Sequence, residues 1–598
     1  MRLRQYPLAV LALLTLGIAV RAAQIGPDVP SAPSAAATAG ALDLLFAQEW
    51  ERGLREHPEE ATALGDTRYN DRWTDESPPA IEARAAADRA ALARLRQIDR
   101  AVLATDQQLN YDIFLWQLQQ KVERQRFAEY LRPIDHKNGV QLADGVVEIT
   151  PFRSALDYRH YLQRLAALPA VIDQEIALMR RGAADGNTPP RVLMQRVPAQ
   201  VEQQIVDDPA RSPFYRPFLA PASEVPAAER DALRAEAGAI IRTRLVPAFR
   251  TLLAYLRDDY LPRTRVSVAA SGLPDGAAYY QFLVRDQTTT DLSVDQIHQI
   301  GLDEVARLHQ AIVAVKDEVG FRGSLGEFFT YLRTDPKFFF KTPEDLLRAY
   351  RAMAKRIDPE LVRVFRVQPR LPYGVRPIPA VAAPDTTTAY YQPGAADGSR
   401  PGYYYVNLYK PETRPSWEMM PLTLHEAVPG HHFQFARALE LPDAPMFRKT
   451  AYFIGYSEGW GLYAERLGYD MGLYDDPYDR LGQLNYEMWR AVRLVVDTGL
   501  HAKNWSREQA IAYFKENAAK TELDIVNEVD RYIGDPGQAL GYKIGQMKIL
   551  ELRERARLAL GSAFDLRDFD DEVLSTGSVP LTALEAHIDQ WIRERRSP

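Results

Sequence analysis

Residues 425–434 have the sequence H-E-A-V-P-G-H-H-F-Q, in which a helix-forming run meets a sharp interruption. His425 and Glu426 open the stretch, and the pair Pro429-Gly430 interrupts it, because both residue types break helices. His431 and His432 follow directly. Three of the ten histidines in the chain therefore fall within eight residues, beside a carboxylate. This clustering is typical of a metal-binding element.

The spacing of these histidines departs from the usual zinc-hydrolase motif H-E-x-x-H. In that motif two histidines four residues apart share one helical face and bind the metal, and the glutamate takes a proton from water. Here the second ligand position is Pro429. On a straight helix His431 would point about 120° away from His425, and His432 would lie about 10 Å further along. We expect a local distortion that brings His431 beside His425, with His432 as the alternative ligand.

The chain on both sides of this stretch is mostly helical in pattern. Apolar residues recur at helical spacing in several long segments, which are Ala80–Ile98, Asp106–Arg132, Arg230–Arg257, Ser293–Val319 and Pro343–Arg356. Residues 187–226 and 368–402 are rich in proline, and we expect irregular loops there. Residues 403–409 form an aromatic run that is the best strand candidate. The predicted fold is mostly α, with a deep cleft and a small β-sheet beside the motif helix.

The composition excludes several classes of function. The 598 residues are 46% hydrophobic and 26% charged, which is a normal globular balance. A formal net charge of -7 argues against binding to nucleic acid. The chain has no cysteine, which excludes disulfides, thiol nucleophiles and a lipid anchor after the apolar N-terminal run. The oligomeric state cannot be deduced from these features.

The N-terminus has the pattern of a secretory signal. Arg2 and Arg4 precede the apolar run Leu8–Val20, and small residues follow at Ala22 and Ala23. We expect residues 1–23 to be removed and residues 24–40 to be a disordered lead-in. Residues 41–598 would then form a single helical catalytic domain, or two lobes around the cleft. The mature protein is expected in the periplasm or the medium, free of the membrane.

A second motif lies at residues 455–465, with the sequence G-Y-S-E-G-W-G-L-Y-A-E. With residues 425–434, it resembles a large family of bacterial exported proteins of unknown function, grouped with the gluzincins, whose patterns are H-E-x-x-P-G-H-H-x-Q and E-G-W-x-L-Y-A-E. The resemblance implies the chemistry of the thermolysin-like zinc metallopeptidases. It implies that His425, His431 and Glu458 bind one Zn²⁺ per chain and that Glu465 supports the site from the same helical face.

The same resemblance implies roles for further residues. Glu426 would be the general base, and Tyr542, in the Gly-rich element 535–545, would donate its hydroxyl to the oxyanion. Asn407, in the strand before the motif helix, would bind the substrate backbone.

A polar stripe lies on the helix that follows the second motif, and it contains Arg490, Arg493, Asp497 and His501. Asp497 or His501 could hold a ligand imidazole, and Arg493 could bind a substrate carboxylate. Two alternatives remain open for the stripe. It could be a ladder of ion pairs, or Asp497 and His501 could themselves bind the metal.

The predicted reaction is hydrolysis of peptide bonds in short peptides. One alternative is a serine hydrolase, because residues 455–459 match G-x-S-x-G around Ser457, with Asp497 and His501 following in the permitted order. That motif requires a strand before the serine and a helix after it, in a chain that alternates strands and helices. A second alternative is a non-catalytic protein that binds zinc or peptides.

Overall fold

The computed structural model describes residues 34–596, apart from residues 223, 381–382, 384–386, 395–397 and 399. The expected signal segment 1–23 and residues 24–33 lie outside this range. For residues 34–40 the prediction of a disordered lead-in is wrong, because helix α1 begins at Ala35. The Ser34 hydroxyl caps this helix by accepting a hydrogen bond of 3.3 Å from the backbone N–H of Ala37.

The described part of the chain is mostly helical, as predicted. The helices of the first half are α1 Ala35–Glu56, α2 Pro58–Ala63, α3 Pro78–Leu95, α4 Thr105–Arg124, α5 Val146–Ile149, α6 Ala155–Ala184, α7 Arg191–Met194, α8 Val197–Gln203, α9 Arg216–Leu219, α10 Ala227–Ile240, α11 Val246–Tyr255, α12 Leu261–Arg263, α13 Gly276–Thr288 and α14 Val294–Glu318. Those of the second half are α15 Leu325–Thr334, α16 Pro343–Ile357, α17 Met419–Glu426, α18 His431–Leu439, α19 Met446–Lys449, α20 Ile454–Asp470, α21 Pro477–Ala502, α22 Arg507–Asn517, α23 Glu522–Gly534, α24 Leu540–Leu560, α25 Leu566–Ser575 and α26 Leu581–Arg596.

The long periodic segments of the sequence form helices, except that α4 ends at Arg124 and the last part of Asp106–Arg132 forms two 3₁₀ turns. Two π-helical turns, at residues 241–245 and 256–260, join α10, α11 and α12 into one continuous rod. The prediction of an irregular loop at residues 187–226 is wrong, because this segment contains the short helices α7 to α9. Two prolines of that segment, Pro198 and Pro217, stand in the first turn of α8 and α9, where a missing N–H costs nothing.

The small sheet has three strands in the order β1-β3-β2. They are β1 Tyr373–Pro377, β2 Ala389–Gln392 and β3 Gly402–Val406. Strand β3 pairs with β1 in parallel and with β2 in antiparallel orientation. The strand expected at residues 403–409 is thus real but ends at Val406. Its two partners lie in residues 368–402, where the sequence predicted only loops.

The apolar core divides into clusters on either side of a cleft. One cluster is built by helices α6 to α12, with buried members from Ile134 to Tyr260. A larger cluster is built around α13, α20, α24 and α26, and α14, α21, α22 and α23 form a third. Within the described range, no helix combines the length and the apolar character needed to cross a membrane.

Candidate metal centre

The interruption expected at Pro429-Gly430 is a complete break between two helices. Helix α17 ends at Glu426 and α18 begins at His431, while Ala427 and Gly430 have non-helical ψ angles of -106° and -128°. The peptide between Val428 and Pro429 is cis. A Cβ atom at Gly430 would lie 1.8 Å from the carbonyl oxygen of His425, so this tight path requires glycine.

The break places three potential ligands side by side. His425 on α17, His431 on α18 and Glu458 on α20 have ligand atoms that all lie within 4.8 Å of one another. The Nε2 atoms of His425 and His431 are each 3.4 Å from Glu458 Oε2, and the two imidazole rings are nearly perpendicular. Two histidines and one carboxylate are a donor set that suits Zn²⁺ and leaves a coordination position for water or substrate.

His432 takes no part in this group. Its Nδ1 atom lies 2.9 Å from the Tyr391 hydroxyl, and its ring packs 4.8 Å from that of Tyr373. Burial lowers the pKa of His432 to about 4, so it packs as a neutral ring. The geometry therefore favours His431 over His432 as the second ligand.

Glu465 orients His425 from the side away from the other ligands. Its Oε1 atom lies 2.9 Å from His425 Nδ1. A proton held on Nδ1 by this carboxylate leaves the lone pair of Nε2 directed at Glu458 and His431. Gly461 gives the imidazole its space, because a Cβ atom there would lie 2.6 Å from His425 Cε1.

The electrostatics of the group favour a cation. Burial alone would lower the pKa of His425, but hydrogen bonds to Glu458 and Glu465 outweigh it and raise that pKa to about 9. Burial opposes ionisation of Glu458, yet the neighbouring His431 and His425 hold its pKa well below the usual range. The site thus attracts positive charge, which a divalent cation would supply. The residues present fit a metal ion on both donor chemistry and charge.

Two further groups stand beside the candidate ligands. Glu426, the last residue of α17, lines the same cleft as His425, His431 and Glu458. Tyr452 donates a hydrogen bond of 2.7 Å from its hydroxyl to Glu458 Oε1. No pattern in the sequence indicates a role for Tyr452, since it lies in an irregular segment before α20 and carries no periodic signal.

The cleft has a volume of about 1960 Å³. Tyr542, the predicted oxyanion donor, lines it together with the candidate ligands. Burial in the cleft wall raises the pKa of Tyr542, so its hydroxyl keeps the proton that a hydrogen-bond donor needs. Arg493, the predicted substrate-binding residue, also lines this cleft.

Asn407 does not have the contacts expected of a residue that binds the substrate backbone. It is buried behind the sheet, where its Nδ2 atom donates hydrogen bonds to the carbonyls of Ala383 and Thr387 at 2.8 and 3.1 Å. Strand β3 has a partner on each side, so its backbone offers no free edge. The strand that lines the cleft is β2, at the end of the segment that Asn407 holds.

Asp497 and His501 were expected to hold a ligand imidazole or to bind the metal. Both predictions are wrong, because neither residue contacts a candidate metal ligand. Asp497 accepts hydrogen bonds from the Tyr280 hydroxyl at 2.5 Å and the Gly537 N–H at 3.1 Å. His501 accepts from the Ala270 N–H at 2.9 Å, and its Nε2 atom donates to the Tyr532 carbonyl at 2.9 Å. Both residues bind backbone groups behind the cleft.

The same contacts contradict the serine hydrolase arrangement. Ser457 lies at the N-terminal end of α20, fully buried, with its Oγ atom 3.1 Å from Ser578 Oγ. Both nitrogens of His501 are occupied by backbone partners, so the His501 imidazole is not available to activate Ser457. No strand precedes α20 among the described residues 446–453.

The fold and site define a class: a mostly helical protein with a His-His-Glu group in a large cleft. Within that class, the chain belongs to the family described as "bacterial protein of unknown function (DUF885)", which matches residues 58–588. A solved structure described as a candidate lipoprotein from Colwellia psychrerythraea is similar, with a TM-score of 0.88 and 28% identity over 93% of this chain and 99% of that one.

A second structure shares the fold at lower sequence similarity. It is described as a candidate lipoprotein of unknown function from Shewanella oneidensis, and it aligns with a TM-score of 0.71 and 18% identity over 93% of this chain and 99% of that one. At this level of identity, the likeness concerns the fold alone. The comparison with curated proteins finds no match.

Proposed function

We propose that the protein is a zinc-dependent peptidase that hydrolyses amide bonds in short peptides. The observation that carries the proposal is the convergence of His425, His431 and Glu458 to within 4.8 Å, in a cleft that Glu426 also lines. The resemblance of both motifs to a bacterial exported family that is grouped with the gluzincins supports it. A volume of about 1960 Å³ gives room for a peptide of several residues rather than for a folded protein.

His425, His431 and Glu458 would hold one Zn²⁺ per chain. When bound, the ion supplies Lewis-acid polarisation of the scissile carbonyl and a lowered pKa for water. Glu426 takes the proton from the attacking water and passes it to the leaving amine. The Tyr542 hydroxyl donates a hydrogen bond to the developing oxyanion. Glu465 holds His425 in orientation, and Tyr452 holds Glu458.

Export belongs to the same proposal. The basic start, the short apolar run Leu8–Val20 and the small residues after it support secretion to the periplasm or the medium. The two solved relatives are described as candidate lipoproteins, which is consistent with an extracytoplasmic family.

The test is the variant Glu426→Gln in the zinc-loaded protein. Since the amide cannot accept the water proton, we expect turnover of a short-peptide mixture to fall by about 10²- to 10⁴-fold while the zinc content stays at one ion per chain. Peptide cleavage is followed by mass spectrometry and zinc by atomic emission. The matched control is Glu412→Gln, the same substitution at an exposed residue, which should retain wild-type activity.

Three outcomes would contradict this function. Full activity in Glu426→Gln would show that Glu426 is not the general base. Loss of activity in Ser457→Ala with unchanged zinc content would favour the serine hydrolase. Stoichiometric zinc with no peptide turned over by the wild-type protein would instead identify a binding protein.

A further inference from the structure

The wall of the cleft beside the candidate metal centre carries an excess of positive charge. Arg490 and Arg493 stand one turn apart on α21, and Arg531 lies on α23. All three line the cleft that contains the candidate metal ligands. Arg490 and Arg493 are almost completely buried, with 5% and 4% of their surface exposed.

The carboxylates nearby do not balance these three guanidinium groups. Glu528 accepts hydrogen bonds of 2.9 Å from Arg493 Nη2 and from Arg531 Nη2, so one carboxylate serves two arginines. The nearest acidic group to Arg490 is Glu465, whose Oε1 atom lies 3.7 Å from Arg490 Nη2. The Oε1 atom of that carboxylate also contacts the imidazole of His425, and its Oε2 atom makes no hydrogen bond among the described residues.

Aromatic rings hold the two buried guanidinium groups in place. Arg490 stacks on Tyr486 and Trp489, with 4.7 and 4.8 Å between its Cζ atom and the ring centroids. Arg493 packs 4.7 Å from the Trp489 ring and 4.4 Å from the Tyr542 ring. The rings fix the guanidinium planes while leaving hydrogen-bond donors unused, which is a preorganised arrangement for a planar anion.

Two of these donors have no partner. Arg490 Nε and Arg493 Nη1 are buried and make no hydrogen bond within the part of the chain that the structure describes. Burying a charged donor without a partner is costly, and such groups are normally paired. The unpaired donors leave the positive charge of two neighbouring arginines without a full set of partners, and an anion in the cleft would compensate that charge.

The arginines line the same cleft as the candidate metal ligands. Arg490 Nη2 lies 3.7 Å from Glu465 Oε1, the carboxylate oxygen that contacts His425 from behind. Tyr542, which would face the oxyanion, is in ring contact with Arg493. A peptide bound at the metal centre would therefore lie in the cleft that this wall borders.

From this geometry we infer that Arg490 and Arg493 form a subsite for a substrate carboxylate. The inference rests on the proposed function and deepens it, because it makes the substrate an anionic peptide. Arginine suits the role, since its planar fork matches a carboxylate with two parallel hydrogen bonds. The carboxylate is the free C-terminus of the peptide or the side chain of an acidic residue.

The test measures binding rather than turnover. Zinc-loaded Glu426→Gln protein is titrated calorimetrically with N-acetyl-trialanine as the free acid, with its C-terminal amide, and with a tripeptide amide ending in glutamate. We expect the free acid to bind about 10- to 100-fold more tightly than the trialanine amide, as for hydrogen bonds to charged groups. Equal affinities for all three peptides would overturn the inference.

The third peptide distinguishes the two sources of the carboxylate. Weak binding, like that of the trialanine amide, assigns the subsite to the C-terminus. Tight binding of this peptide assigns it to an acidic side chain, and supports the subsite equally.

Variants separate this role from a structural one. In Arg493→Gln we expect the free acid to lose about 10- to 100-fold in affinity while the amide is unchanged. A purely structural role would weaken both peptides together and would overturn the inference. Arg466→Gln, an exposed arginine on α20, is the charge-matched control and should bind both peptides as the parent protein does.

The two proposals can fail separately. A protein that prefers the free acid yet cleaves no peptide keeps the carboxylate subsite and loses the peptidase function. A protein that cleaves peptide acids and amides with equal efficiency, and binds them equally, keeps the peptidase function and loses the subsite.

Discussion

The carboxyl group of Asp497 is fully buried in the protein interior. It has no ion-pair partner within 4 Å among the described residues. The Tyr280 hydroxyl and the Gly537 N–H both donate to its Oδ1 atom, at 2.5 and 3.1 Å. Burial raises the pKa of Asp497 from 3.8 to about 7. The folded protein therefore holds a proton on this carboxyl in a pH range where the unfolded chain has released it.

The sign of the pH effect follows from that difference. Between about pH 4 and about pH 7 the folded state binds one proton more than the unfolded state, so this group makes stability fall as pH rises. An asparagine at this position would keep an oxygen for both donors and would not titrate. We expect Asp497→Asn to gain stability relative to wild type across this window, by on the order of 4 kcal/mol in the free energy of unfolding.

The measurement is chemical denaturation of both proteins at intervals from about pH 4 to about pH 8. Asp291→Asn, at an exposed aspartate, controls for the loss of one carboxylate. Parallel pH profiles for wild type and Asp497→Asn would show that Asp497 titrates normally.

The motif residues could be predicted from the sequence because their chemistry is local. His425, Glu426 and Glu458 stand in short patterns that specify both residue type and spacing. Asp497 and His501 share the helical stripe of Arg493, but a helix rises about 1.5 Å per residue, which carries His501 about 12 Å beyond Arg493. Spacing fixes the face of a helix, whereas the length of α21 that borders the cleft depends on tertiary packing.

At the scale of elements, the closest packing in the site is between α20 and α24. A Cβ atom at Gly459 would lie 2.5 Å from the Cα of Gly545, and one at Gly545 would lie 1.7 Å from the Gly455 carbonyl oxygen. The two backbones therefore touch, with glycine on both sides. This contact sets the position of α20, and with it that of Glu458.

Gly459→Ala should therefore destabilise the protein. The added methyl group meets backbone rather than a movable side chain, so we expect a loss of about 1–3 kcal/mol in the free energy of unfolding. Gly53→Ala on α1 is the control. No described atom outside its own stretch of helix would lie within 4 Å of that methyl group, so we expect a gain of up to about 1 kcal/mol.

Thermal unfolding of the two variants measures both effects. If Gly459→Ala were as stable as wild type, α20 and α24 would have to be further apart than this contact requires.

Helices were easier to predict than strands for a physical reason. An amphipathic helix shows its period within its own sequence, as in Ser293–Val319, which forms α14. Strands β1 and β2 are five and four residues long and are stabilised by pairing with β3 rather than by their own pattern. The sequence therefore predicted β3, with its dense aromatic run, and missed both partners.

At the scale of the whole molecule, the candidate metal centre joins helices that belong to the central core. Helices α17 and α18 are separated by the break at Pro429-Gly430, and α20 packs on α24. An ion held by all three helices binds the folded chain and not the unfolded one, so it should stabilise the entire core.

Zinc added to the metal-depleted protein should consequently raise its unfolding temperature. At a free concentration about 100 times the Kd, the expected gain is about 2.7 kcal/mol. His431→Ala should abolish this gain, because it removes a ligand, whereas His432→Ala should retain it, because His432 contacts Tyr391 and Tyr373 instead. The two variants remove the same side chain from adjacent positions of α18, so any general cost to the helix is common to both. Calorimetry with and without zinc measures the increase in unfolding temperature for each variant. An equal increase in His431→Ala and wild type would contradict the metal centre. An increase that is kept in His431→Ala and lost in His432→Ala would make His432 the ligand.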